Sequence, residues 1–140
     1  MPTKNWQAVL QKSSFSPTEQ QVVLLTVSVL NNCEFCVAAH SVIAKHMQKL
    51  DASVIDAVRD GAVIGDAKLE ALATFTKAVV NDRGFVSGQP AQNFLAAGFT
   101  KAQALEVVLG VTMKTLSNYT NHLTETAVNE QFAAEQWSRS

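Results

Sequence analysis

Two helix-capping signatures decide what this chain can fold into. Ser16-Pro17-Thr18-Glu19 places a serine cap before a proline, with a glutamate three residues on. Ser16 can accept from the Glu19 backbone, Glu19 can reach back, and Pro17 fits the first helical position. Thr100-Lys101-Ala102-Gln103 repeats the pattern before QALEVVLGVTMKTLSNYTNHL. Between them the punctuation stays helical. Asn31 or Asn32 can cap a helix that begins close to Cys33 and runs to about Leu50. Asp51 opens ASVIDAVRD, which Gly61 closes. Asp66 opens a longer helix ending near Asn81 to Gly84, and Ser87 and Pro90 introduce a short one stopped at Gly98. An amphipathic piece, NEQFAAEQW, finishes the chain.

The run VVLLTVSVL, rich in β-branched residues, reads alone as a buried strand. Its cap and its length favour a helix buried nearly all round. No segment alternates apolar and polar residues between hairpin turns. The expectation is an all-α bundle of about six to eight helices. At 140 residues, without linker, repeat or low-complexity tract, it reads as one domain spanning 1–140 with a core of about 16–132.

Charge narrows the function classes. A net charge of −1 gives no electrostatic reason for nucleic acid or an anionic membrane as partner. The charged fraction, 16%, is low for a globular chain, which favours an oligomer that covers helix faces. The longest apolar run, Val22 to Leu30, is about half of a membrane span. MPTKNWQAVL lacks the apolar stretch of a signal peptide, so a cytoplasmic protein is expected. In that compartment a cysteine pair is more often catalytic or transient than a structural staple.

Chemistry concentrates in NNCEFCVAAHSVIAKH, residues 31 to 46, which holds both cysteines and two of three histidines. On one helix at about 100° per residue, Cys33 falls at 0°, Cys36 near 300° and His40 near 340°, so the three share a face. His46, near 220° on the same wheel, does not join them. An i, i+3 pair lets two sulfurs meet with little backbone motion. The first turn of a helix favours an anion and lowers a thiol's pKa. A histidine one turn on can take or return a proton. Such a pair can attack an oxidant, pass through a sulfenic acid and close to a disulfide.

Other readings of the same residues stand beside this one. The thiols could be inert and buried. They could join His40 and His122 as zinc ligands, although no second CxxC completes a known spacing. A c-type haem needs histidine directly after the second cysteine, and position 37 is valine. His122 also suits a helix C-terminus, where it satisfies the dipole. Trp6 and Trp137 read as packing or interface residues, and Lys45, Lys49 and Arg59 as solvated faces.

The stretch SPTEQQVVLLTVSVLNNCEFCVAAHS resembles the core motif of the AhpD-like alkylhydroperoxidases, within the carboxymuconolactone decarboxylase superfamily. The C-x-x-C-x-x-x-H element falls on Cys33, Cys36 and His40. The later stretch LEVVLGVTMKTLSNYTNHLTETAVNEQF is similar to the family's late helix with its N-Y-x-N-H element, here Asn118, Tyr119, Asn121 and His122. The likeness spans about residues 16 to 132 and is most specific over 16 to 46.

The resemblance implies an all-α fold assembled as a homo-oligomer, a trimer or hexamer. It implies a peroxidase that reduces hydroperoxides, with Cys36 attacking, Cys33 resolving and His40 relaying protons. No metal or organic cofactor is implied, and an external dithiol protein, lipoyl or thioredoxin-like, would re-reduce the pair. Two positions depart from the pattern. Where the family carries a relay glutamate, twelve residues before the first cysteine, this chain has Gln21, which can hydrogen-bond but cannot take a proton. Glu19 is about 200° away round the helix and substitutes poorly. Phe35 stands where some members carry histidine. The competing expectation is a non-enzymatic helical oligomer whose cysteine pair senses redox state or binds a small molecule.

Overall fold

The computed structural model describes residues 4–139, with side chains from Ala8 onward. Trp6 therefore falls outside the described side chains. Among the described residues seven α-helices follow one another: α1 Lys4–Gln11, α2 Pro17–Leu30, α3 Glu34–Val42, α4 Ala52–Asp60, α5 Ala67–Asn81, α6 Gln89–Ala96 and α7 Lys101–Leu123. A π-helical segment, Ile43–Met47, extends α3, and a 3-10 turn, Glu130–Glu135, closes the order. Among the described residues there is no strand. No single described helix is long and apolar enough to cross a membrane.

Helix α2 is the axis of the fold. Ser16 accepts from the Glu19 backbone N–H at 3.2 Å, and Pro17 occupies the first turn. The return bond from the Glu19 side chain is not made. Gln20 instead donates to the Phe15 carbonyl at 2.9 Å. Val22, Val23, Leu25 and Val27 are fully enclosed by the surrounding helices. Each such burial contributes about 1.5–3 kcal/mol, which overrides the modest strand preference of the run. Thr26 and Ser28 lie in the same buried stretch, and Ser28 returns its hydroxyl to the Leu24 carbonyl at 2.9 Å.

Helix α7 begins with a complete capping box, Thr100 and Gln103 each bonding the other's backbone. It packs against α2 at Gly110. A Cβ at that position would lie 2.9 Å from Val23 Cγ1, so only glycine permits the approach. This close crossing carries the next turns of α7, from Lys114 to Asn121, onto α3.

Neither asparagine caps α3. Asn31 ends α2, and Asn32 turns the chain with φ 54°, a left-handed conformation that asparagine tolerates. Cys33 itself is the N-cap, at φ −86° and ψ 91°. The helix does not continue regularly to Leu50. After Val42 it widens to a π turn, in which the Gln48 N–H reaches the Ile43 carbonyl at 2.8 Å.

Lys45 and Arg59 are not on solvated faces, as the sequence suggested. Their side chains are only 13% and 12% exposed and converge on Glu135, at 3.1 and 3.5 Å. His46 joins at 2.9 Å, and Lys45 also pairs with Asp56. Lys49 is exposed as expected. Within the final piece, NEQFAAEQW, Glu130–Glu135 form the 3-10 turn, and Glu135 points inward to those cations. Arg59 further donates to the Glu135 and Gln136 carbonyls. Trp137 packs on the core and donates to the Arg59 carbonyl at 3.0 Å, and Phe132 meets Phe35 edge-on. The C-terminal segment is thus strapped across α3.

Candidate functional site

Cys33 and Cys36 are free thiols, 1% and 2% exposed. The N-cap conformation of Cys33 takes it off the regular wheel, while Cys36 sits in the first turn of α3. That position aims the helix's unpaired N–H groups towards the sulfur's end of the helix and favours an anion there. Asn121 on α7 donates to Cys36 Sγ at 3.2 Å, and the Ser117 hydroxyl lies 3.9 Å from the same sulfur.

A second network fixes that register. Asn118 is fully buried; it accepts from Asn31 Nδ2 at 3.1 Å and donates to Ser28 Oγ at 3.3 Å. These bonds tie α7 to the end of α2 just before the turn into Cys33.

His40 is enclosed one turn beyond Cys36, and both of its ring nitrogens have partners. Nδ1 lies 3.0 Å from Gln21 Oε1, an acceptor, which assigns the proton to Nδ1. Nε2 then accepts from Lys114 Nζ at 2.8 Å. Burial and the Lys114 charge hold the imidazole well below its ordinary pKa, so it stays neutral. Gln21, 5% exposed, thus fixes the tautomer in the position where the related motif carries a carboxylate.

Lys114 is the residue the sequence reading passed over. Its side chain is buried, and among the described residues no carboxylate lies within ion-pair distance of it. Burial lowers its pKa, while attraction to Cys36 and Cys33 opposes that shift. One signal was present in the sequence. Val107, Gly110, Lys114 and Asn118 follow the 3-4-4 spacing of one helix face, and a lysine within an otherwise buried stripe calls for a partner.

The two thiols are driven apart in acidity. The hydrogen bond from Cys33 to Cys36 lowers the Cys36 pKa most. Burial opposes it, and the Lys114 charge with the Asn118 and Asn121 amides adds to the lowering. Cys33 moves up, first through the same bond and then through burial. The arrangement stabilises one proton on Cys33 and one negative charge on Cys36.

Two hollows lie near the site: Cys33 lines one of them, and the other reaches His40, Lys114 and Ser117. One, of about 100 Å³, is lined by Gln21, Leu24, His40, Ile43, Met113 and Lys114, among others. The other, a groove of about 470 Å³, runs past Cys33, Phe35, Asn121, His122 and Arg139. His122 is exposed there, with its ring 6.3 Å from that of Tyr119, and does not line the hollow that holds His40. Among the described residues, no three histidine, cysteine, aspartate or glutamate side chains gather as metal ligands.

An all-helical bundle with a buried, asymmetrically polarised CxxC pair defines a class of thiol-bearing helical proteins. The chain belongs to the carboxymuconolactone decarboxylase family, whose model matches residues 1–78. Its fold is that of an alkylhydroperoxidase AhpD core. A structure so described, of an uncharacterized peroxidase-related protein from Ralstonia eutropha JMP134, superposes with a TM-score of 0.79 at 21% identity. The match covers 93% of this chain and 70% of that one. An uncharacterized peroxidase-related protein from Silicibacter sp. TM1040 gives 0.80 at 15% identity, covering 95% and 71%. No curated protein sequence matches the chain.

Proposed function

We propose that this protein is a thiol peroxidase that reduces hydroperoxides through a Cys33–Cys36 dithiol/disulfide cycle. The observation that carries the reading is the stabilisation of negative charge on Cys36, by the Cys33 thiol, the Lys114 charge and the 3.2 Å bond from Asn121. A thiolate is the reactive form of cysteine, and Cys33 is the neighbouring thiol needed to resolve its oxidised product.

In this cycle the Cys36 thiolate attacks the terminal oxygen of ROOH. The O–O bond breaks, Cys36 becomes the sulfenic acid, and RO⁻ leaves to be protonated. The Cys33 thiol then displaces hydroxide from the Cys36 sulfur and gives up its proton, forming the disulfide and water. An external dithiol protein, lipoyl or thioredoxin-like, returns two electrons and two protons. Cys36, Cys33 and His40 are the working residues. His40 lies on the proton path with Gln21 fixing its tautomer, and His122 borders the groove beside Cys33. No metal or organic cofactor enters the cycle, and the reductants it needs suit a cytoplasmic setting.

The whole chain acts as one domain within a homo-oligomer, trimeric or hexameric. Leu105, Val108, Leu116, Tyr119 and Leu123 leave an apolar stripe exposed along α7, which supports such an assembly. A sensor that oxidises once is the second reading, favoured by the near-complete burial of both thiols.

The test is turnover with peroxide and a dithiol reductant. A peroxidase consumes many equivalents, and Cys36→Ser abolishes consumption. Oxidation that stops after one equivalent identifies the sensor.

A further inference from the structure

Lys114 presents a physical problem. A buried ammonium without a counter-charge is strongly destabilising, and no described carboxylate approaches this one. Its one hydrogen bond among the described side chains goes to His40, a neutral group. One turn along α7, Ser117 approaches the Cys36 sulfur, and Asn121 hydrogen-bonds it after another. The anion that this face of α7 is arranged to meet is the Cys36 thiolate.

From this geometry we propose that Lys114 is both the counter-ion of the Cys36 thiolate and the acid that protonates the departing alkoxide. As an acid it takes over the proton-relay part that a carboxylate at position 21 would otherwise serve; its positive charge is what such a carboxylate could not supply. The inference rests on the peroxidase reading for its second half only; the ion pair stands without turnover.

The proton ledger closes. The resting site holds Cys33–SH, Cys36–S⁻ and Lys114–NH3⁺. Attack on ROOH forms the S–O bond and breaks O–O, leaving RO⁻. Lys114 gives its proton to RO⁻, so ROH departs and a neutral amine remains. The thiolate charge and the ammonium charge disappear in one step, and no buried ion is left unpaired. Disulfide closure then releases water. When a dithiol reductant returns two electrons and two protons, one proton stays on Cys33 and the other restores the ammonium. His40, which faces the 100 Å³ hollow and accepts from Lys114, keeps that amine directed at the site.

Three properties separate this role from mere packing: charge, proton donation and volume. Lys114→Met keeps volume and removes both others. Lys114→Arg keeps charge but holds its proton too tightly to give it up. The thiolate is read by its ultraviolet absorbance as reduced protein is titrated, with no peroxide present. In Lys114→Met the Cys36 transition moves up by at least one pH unit; in Lys114→Arg it stays near the wild-type position. Peroxide consumption, compared at a pH where the thiolate is fully formed, falls at least tenfold in both. Lys114→Gln serves as the neutral variant if the methionine protein does not fold, as judged by its helical circular dichroism. An unmoved thiolate transition in the neutral variant overturns the ion pair. Full activity in Lys114→Arg overturns the proton donation. A wild-type protein that forms the thiolate but never turns over sinks the peroxidase reading and leaves the ion pair standing.

Discussion

Asn121 donates its side-chain amide to the Cys36 sulfur at 3.2 Å across a separation of 85 residues. The late N-Y-x-N-H element and the early CxxC are thus parts of one site. Asn121→Ala removes a donor that favours the thiolate, at about 1.5–3 kcal/mol for a hydrogen bond to a charged group. The Cys36 transition should move up by about one to two pH units, which thiolate absorbance reads directly. Asn121→Asp should move it further, because a carboxylate there repels the thiolate.

The rate of peroxide reduction should follow a bell in pH. Cys36 titrates below the free-cysteine value of about 8.5, so activity rises with pH through that lowered pKa and levels before neutrality is passed. Burial lowers the Lys114 pKa as well, so the alkaline limb falls below the usual lysine range as the donor loses its proton. Initial rates across pH, at fixed ionic strength, give both limbs. A flat alkaline limb would count against a lysine donor.

Gln21→Glu tests the departure from the related motif from the opposite direction. A carboxylate 3.0 Å from His40 Nδ1 would favour the imidazolium and draw charge away from the Cys36–Lys114 pair. The expected result is a higher His40 pKa, read from its ring proton shifts, together with a higher Cys36 pKa.

Gly110→Ala should destabilise the fold. The new methyl would meet Val23 Cγ1 at 2.9 Å, and a β-branched side chain cannot swing aside cheaply. Overpacking costs about 1–3 kcal/mol, and the better helix propensity of alanine returns at most about 1. A lower Tm is expected, together with a raised Cys36 pKa as α7 is pushed off α3.

The strap carries its own pH dependence. Burial pushes the Glu135 carboxyl up, but the His46 and Lys45 bonds and the Lys45 and Arg59 charges outweigh it, so its net pKa is depressed. A depressed folded-state carboxyl contributes stability above its unfolded pKa, about 4.3, and loses it as pH falls through the folded value. Hydrogen exchange of residues 130–137 should therefore quicken first on acidification below about pH 4. Glu135→Gln should show that fast exchange already at neutral pH.

The sequence made the helices legible because their ends are written in local chemistry. Ser16, Asp51, Asp66 and Thr100 cap where expected, and Gly61 stops α4 in a left-handed turn. The glutamine standing at position 21 in place of a carboxylate was visible for the same reason, as a single residue at a fixed spacing. What escaped was long-range. Arg59 and Lys45 look like surface charges until Glu135, 76 and 90 residues on, arrives beside them. Lys114 meets His40 over 74 residues, and no local rule announces that pairing. The cap at Cys33 was missed because Asn31 has stronger business with Asn118.

The hollow at His40 and Lys114 and the groove at Cys33 have no lining residue in common. One opens onto Lys114 and His40, the other onto Cys33 beneath the strapped C-terminus. An oxidant and a bulky protein reductant arriving by separate doors would not exclude each other. In the proposed cycle the site then resembles a turnstile with a separate entrance and exit. Saturating peroxide should leave the affinity for the reductant untouched, and truncating the strap should alter only the exit.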